Sequence, residues 1–255
     1  MPTHDAETEV FALAHAGDPQ AIAPLVEILR HHPRRTTRAA AAHLLEKMGD
    51  RHAIAALEAA LNDTSDGGFF EQETPVSELA EEALLAIYGR VGVCDDDVLR
   101  LVRMLEQGGA RRQYVRSLLI KLDAPIEHIL IAQFPALNVL GRAAVLTILG
   151  QRRSSLALDL LLISLTDPDP LIRDASVEAL GVLGDARAFE AVFSCLIDPT
   201  SSVRRSAQSA LRQVSDERHV TGLERILASG QFNGFERHDL ELALQAARER
   251  KAPEA

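Results

Sequence analysis

Tryptophan is absent from this 255-residue chain, tyrosine occurs twice, and aromatic residues together make up only 4%. With few β-branched or aromatic runs, there is little case for strands, where such side chains are enriched. The two cysteines, Cys94 and Cys195, lie far apart without paired spacing. That argues against a disulfide framework and a zinc site and fits two semi-buried thiols in a reducing compartment. No stretch approaches the roughly 20 apolar residues of a membrane span. The start MPTHDAETEV has no basic segment followed by an apolar core, so a cytoplasmic protein with no membrane role is expected. A net charge of −10 opposes general binding to nucleic-acid phosphates.

What fills the chain is Ala, Leu, Glu and Arg, all strong helix formers, with Gly and Pro mostly between apolar stretches. Compared with itself, the sequence repeats every 31 residues. Arg111, Arg142, Arg173 and Arg204 form one column, Leu118, Leu149, Leu180 and Leu211 a second, and Leu130, Leu161, Val192 and Leu223 a third. Arg38, Leu45, Asp50, Leu57, Leu61 and Asp63 match Arg173, Leu180, Asp185, Val192, Leu196 and Asp198 at a constant shift of 135, which is four periods plus eleven residues. The segment Thr64 to Thr74, TSDGGFFEQET, is eleven residues long, lacks helical periodicity and is read as the insertion. The third unit keeps Ile87 and Leu99 but has Ala80, Gly92 and Arg103 in the other columns.

Each unit reads as two amphipathic helices. In the sixth, Leu171, Ile172, Ala175, Ala179 and Leu183 make one apolar stripe and Phe189, Val192, Phe193 and Leu196 another. Between them Gly184 suits a left-handed C-terminal cap and Asp185 an N-cap. Neither helix buries its stripe alone, so the units must stack. The expected fold is all-α, an α-α superhelix or solenoid of about seven helical hairpins over residues 1–255, closed by a capping helix at about 235–250. Pro24 lies within the second helix of the first unit and should kink it or mark a late start.

The stretches DPDPLIRDASVEALGVLGDARAFEAVFSCL and IDPTSSVRRSAQSALRQVSDERHVTGLERIL resemble the HEAT-like repeat first described in phycobilisome lyases. The resemblance implies that the second helix of each pair lines a concave face and that the recurring Asp and Arg serve repeat stacking. Asp167 with Arg173, and Asp198 with Arg204, share a spacing of six that fits such a ladder. Deoxyhypusine hydroxylase, built from similar repeats, is recognised by His-Glu dipeptides that ligate iron, and this chain has none. The HEAT-like alkylpurine DNA glycosylases depend on tryptophans that are missing here.

The nine histidines read as solvated surface residues, and the arginine groups around Arg34, Arg111, Arg152 and Arg204 as a solvated face, with a weak anion stripe as the alternative. Asp95, Asp96 and Asp97 read as the acidic start of a helix. No phosphate loop or nucleophile elbow is present. No catalytic, cofactor-binding or metal residue is assigned. The expected function is a non-catalytic scaffold whose concave face holds a protein partner, with Arg187, Glu190, Ser194, Glu224, Arg225 and the insertion's Phe69 and Phe70 as contact residues. The alternative is a bilin lyase or chromophore-handling subunit, implied by the family resemblance.

Overall fold

Asp18, Asp50, Asp185 and Asp216 share one column of the repeat, and each accepts a hydrogen bond from the backbone N–H two residues on. By satisfying one of the donors that a helix start leaves free, each begins a second helix. The computed structural model describes residues 4–63, 74–230 and 234–250. Among them are fifteen α-helices and short 3₁₀ turns, with no strand. None of these helices is long and apolar enough to cross a membrane.

Contacts group the chain into two units, Met1–Ile126 and Glu127–Ala255. Unit 1 holds α1 (His4–His15), α2 (Ile22–His31), α3 (Arg35–Met48), α4 (Arg51–Ala60), α5 (Val76–Val91), α6 (Asp95–Met104) and α7 (Ala110–Lys121). Within it α2 packs on α3, α4 on α5 and α6 on α7, while α3, α5 and α7 follow one another as neighbours. Leu25, Leu45, Leu57, Leu84, Leu101 and Leu118 are fully buried there. Pro24 proves to mark a late start. Residues Pro19–Ala21 form a 3₁₀ turn and α2 begins only at Ile22, so Pro24 sits in the first α turn, where its missing N–H costs nothing.

Unit 2 holds α8 (Glu127–Gln133), α9 (Val139–Gln151), α10 (Leu158–Ser164), α11 (Pro170–Leu183), α12 (Phe189–Ser194), α13 (Ser201–Val214), α14 (Val220–Ala228) and α15 (Gly234–Glu249). The first helices α9, α11 and α13 begin 31 residues apart and pack side by side, with α15 next on α13. Their approach is close because small residues face each other. A Cβ added at Gly150 would lie 2.7 Å from the Cα of Ala179, and one at Gly181 would lie 2.9 Å from the Cβ of Ala210. Gly184 ends α11 at φ +71°, in the left-handed conformation expected of it.

The third sequence unit is weak for a reason that the structure makes plain. Its second helix is capped at Cys94, two residues beyond Gly92, the position that the register assigns. From Cys94 the register resumes 44 residues after Asp50, Leu57 and Leu61, giving Leu101 and Leu105, both fully buried. The slip is undone 29 residues later at buried Leu130 and Phe134.

Candidate functional site

Most of the conspicuous charges are used to hold repeats together. In α11, Arg173 donates from Nε and Nη2 to the carboxylate of Asp198 (2.8 and 3.0 Å) and from Nη1 to the carbonyls of Asp167 and Pro168. Arg38 does the same with Asp63 (2.7 Å) and the carbonyls of His32 and Pro33, and Arg142 pairs with Asp167. The ladder therefore differs from the one expected at a spacing of six. At that spacing Arg takes the backbone carbonyl, and the carboxylate it takes lies 25 residues ahead. These pairs are largely withdrawn from water, with side-chain exposures of 13% and 10% for Arg173 and Asp198. The Arg173 guanidinium holds the Asp198 carboxyl below its ordinary range.

Between the second and third hairpins of unit 1 a second network takes the place of the ladder. Buried Asp97 accepts from the Cys94 N–H and thiol, from Arg51 (3.0 Å) and from Arg100 (2.8 Å), while Arg100 also grips Glu58, which accepts from the Tyr88 hydroxyl. Burial opposes ionisation of Asp97, but these hydrogen bonds outweigh it and hold its carboxyl at about 2. Every partner comes from α4, α5, α6 or the α6 cap residue Cys94, so the network staples the third hairpin to the second. Asp97 is thus more than an acidic helix start. Two histidines also depart from the solvated role. His32 is 11% exposed and pairs with Glu7 (3.0 Å), and His219 stacks on Phe189 with centroids 3.8 Å apart beside Asp216.

A further set of polar side chains lies on the first-helix layer of unit 2. A groove of about 510 Å³ crosses α9, α11 and α13. Thr147, Glu178 and Ser209 form one column along its lining, and Gln151, Val182 and Gln213 another, each at 31-residue intervals. Ser206 donates to Glu178 at 3.5 Å, the longest such contact near the groove. Partial burial, reinforced by the charge of Asp174 one turn earlier, pushes the Glu178 carboxyl up from its ordinary value. Asp174 Oδ1 is shut away from solvent with no hydrogen-bond partner among the described residues.

At the α9 side the groove is bordered by Arg153, at φ +50° the one non-glycine residue in the left-handed region among those described. It occupies the column of Gly184, and the bonds from Arg153 N to Gly150 O and from Ser154 N to Leu149 O close the turn after α9 as a glycine would. A side chain there costs about 1 kcal/mol. The protein accepts that cost and so presents a guanidinium at the groove.

The residues expected to touch a partner lie elsewhere. Arg187 and Glu190 are exposed at the start of the second helix α12, where Arg187 is paired with its own repeat's Asp185 (2.6 Å). Ser194 turns its hydroxyl onto the Ala191 carbonyl, and Glu224 accepts from Arg248. Arg225 is exposed on α14. Phe69 and Phe70 lie outside the described residues, as does the insertion up to residue 73. Of the arginine groups, Arg35, Arg38, Arg111, Arg152 and Arg204 each bond to carbonyls or carboxylates nearby, which leaves Arg153 and Arg205 as the exposed members in unit 2. No group of three or more His, Cys, Asp or Glu side chains among the described residues is placed to hold a metal.

The family model for HEAT repeats matches residues 7–69 and 129–245. The chain belongs to the HEAT-repeat family. No curated protein sequence matches it. Solved structures similar to this HEAT-repeat chain include human deoxyhypusine hydroxylase in complex with glycerol, at 22% identity and a TM-score of 0.39, covering 82% of this chain and 78% of that one. The complex of CpcE and CpcF of phycocyanin lyase from Nostoc sp. PCC7120 is similar at 19% identity and a TM-score of 0.37, covering 90% and 94%. An engineered protein is similar at 16% identity and a TM-score of 0.36, covering 96% and 97%.

Proposed function

We propose that this HEAT-repeat protein is a non-catalytic scaffold of the cytoplasm that binds a protein partner through the first-helix layer of unit 2. The observation that carries the reading is the groove lined at 31-residue intervals by Thr147, Glu178 and Ser209 and by Gln151 and Gln213. The array repeats its surface chemistry in step with its packing, which suits a long polymeric partner better than a compact ligand. Seven of the eleven lining residues carry hydroxyls, amides or charges, and the others are the small Ala179, Gly181, Val182 and Ala210, with no aromatic ring. A tetrapyrrole would call for the mostly apolar or aromatic walls of small-molecule sites, so the phycobilisome-lyase type of repeat enters this reading as an architecture and not as an activity.

The second-helix residues Arg187, Glu190, Ser194, Glu224 and Arg225 form the competing face. A photo-crosslinking amino acid placed at Gln151, or separately at Glu190, in the native cell decides between the two. The expected outcome is a discrete protein adduct from position 151 and none from position 190. An adduct from position 190 alone would move the partner to the second helices, and no adduct from either would count against a scaffold acting through unit 2.

A further inference from the structure

We propose that unit 1 holds a separate small-molecule site, a cavity between α1 and α2 that takes an organic ammonium ion carried on a compact apolar body. The cavity has a volume of about 440 Å³. Val10 from α1, Pro24 and Ile28 from α2, and Pro33 just beyond give it apolar walls, and its polar groups are Glu7, Glu27, His31 and His32. Concavities of roughly 300–1,000 Å³ with apolar walls and a few placed polar groups are where small molecules bind. The groove of unit 2, polar along its length, is a different kind of surface.

Glu7 sets the sign of the ligand. Its side chain is 19% exposed, and its ion-pair partner is His32 at 3.0 Å. The Arg34 N–H donates to His32 Nδ1 at 3.1 Å, so the ring carries its proton on Nε2, toward Glu7, and is neutral in this arrangement. Other carboxylates as withdrawn from water hold a full cation. Glu58 and Asp97 have Arg100, Glu81 has Lys121, Glu127 has Arg152, and Asp198 has Arg173. Among the ion-paired carboxylates of that low exposure in the described residues, Glu7 alone has only an imidazole. Glu27, at the rim, is 62% exposed and is already answered by Arg30 at 3.3 Å. No Lys or Arg lines the cavity among the described residues, and Arg34, which borders the adjoining hollow, makes no ion pair with Glu7. A carboxylate partly withdrawn from water without a countercharge carries an unrecovered desolvation cost, and an ammonium seated on it would offset that cost. Alkylamines are charged at neutral pH, and the apolar remainder of such a ligand would lie against Val10, Pro24 and Ile28. An anionic ligand would meet Glu7 and Glu27 with like charge.

The test titrates the full-length chain at neutral pH with three probes that share one apolar body: 2-phenylethylammonium, 2-phenylethanol and 3-phenylpropanoate. Amide chemical shifts report where each one binds. The ammonium should saturate, move resonances of α1, α2 and the turn after α2, and bind about tenfold more tightly than the alcohol, the usual effect of a hydrogen bond to a charged group. The carboxylate should not saturate. Glu7→Gln keeps an oxygen that accepts from His32 Nε2 and removes the charge, so it should bring the ammonium down to the level of the alcohol and leave the alcohol unchanged. Binding of the alcohol thus shows that the variant's cavity is intact. Glu27→Gln, at a carboxylate that Arg30 already answers, should leave all three affinities as they are. No saturable binding of the ammonium, equal affinity for ammonium and alcohol, or an ammonium affinity that survives Glu7→Gln would each overturn the proposal, as would shifts confined to other helices.

Discussion

Arg153 and Glu178 each carry a local cost that their neighbours do not remove. Arg153 takes the left-handed turn position that glycine fills in the next repeat. Arg153→Gly should therefore stabilise the protein by about 0.5–1 kcal/mol, the relief of strain exceeding the added freedom of the unfolded chain. Chemical denaturation measures it, and an unchanged or lower midpoint would remove the strain argument. Glu178 has a folded-state pKa above its ordinary value, from partial burial and then from Asp174. For a carboxylate raised in this way, the favourable contribution exists while the group is protonated, below its unfolded pKa, and is lost as pH rises through the folded one. Glu178→Gln should be more stable than wild type at pH 7, the two curves converging toward pH 4 and below. Melting across that range checks it, and a variant less stable than wild type at pH 7 would show that the carboxylate is already well partnered.

At the scale of helices, small residues decide how the layer is built. Alanine in place of a helical glycine gains about 1 kcal/mol of propensity. At Gly150 the new Cβ meets the backbone of Ala179 at 2.7 Å, which cannot swing aside, and overpacking of that kind costs about 1–3 kcal/mol. Gly150→Ala should thus lower stability, by up to about 2 kcal/mol, whereas Gly222→Ala, in open space on α14, should raise it by about 0.5–1 kcal/mol. Equilibrium unfolding of the two variants reads both signs at once.

The same contrast shows what the sequence could convey. The helix pairs were legible because Arg173, Leu180, Asp185 and Val192 each do one job that recurs in several units. The third hairpin was obscure because a slip of two residues moved its cap to Cys94, and because Arg51, Asp97 and Arg100 took over the stapling from unrelated columns. The groove was hidden for another reason. Thr147, Glu178 and Ser209 do share a 31-residue column, but a polar column between apolar ones looks like ordinary surface until Gly150 and Gly181 bring the helices close enough to make a wall. That column was the signal available.

For the molecule as a stack, the end is the decisive place, because each repeat finds its core only in its neighbours. In unit 2 the last neighbour is α15, which buries Leu240, Ala243 and Ala247 against α13 and α14. It also returns the Arg250 carbonyl to the Glu217 N–H at 3.0 Å and the Arg250 guanidinium to the Ser215 carbonyl. A chain ending at Gly230 would lose the apolar cover over one whole side of α13, a contribution of about 3–5 kcal/mol at the usual area coefficient. It should melt earlier and self-associate, as light scattering on a sizing column would show. Hydrogen exchange tells how the loss spreads. In a one-dimensional stack, exchange should rise most in α13 and α14, less in α11, and not at all in α1 to α6. Uniform acceleration through α9 to α14 would instead mean that unit 2 opens as one block, in which case the groove across α9, α11 and α13 would be lost with α15 despite lying on other helices.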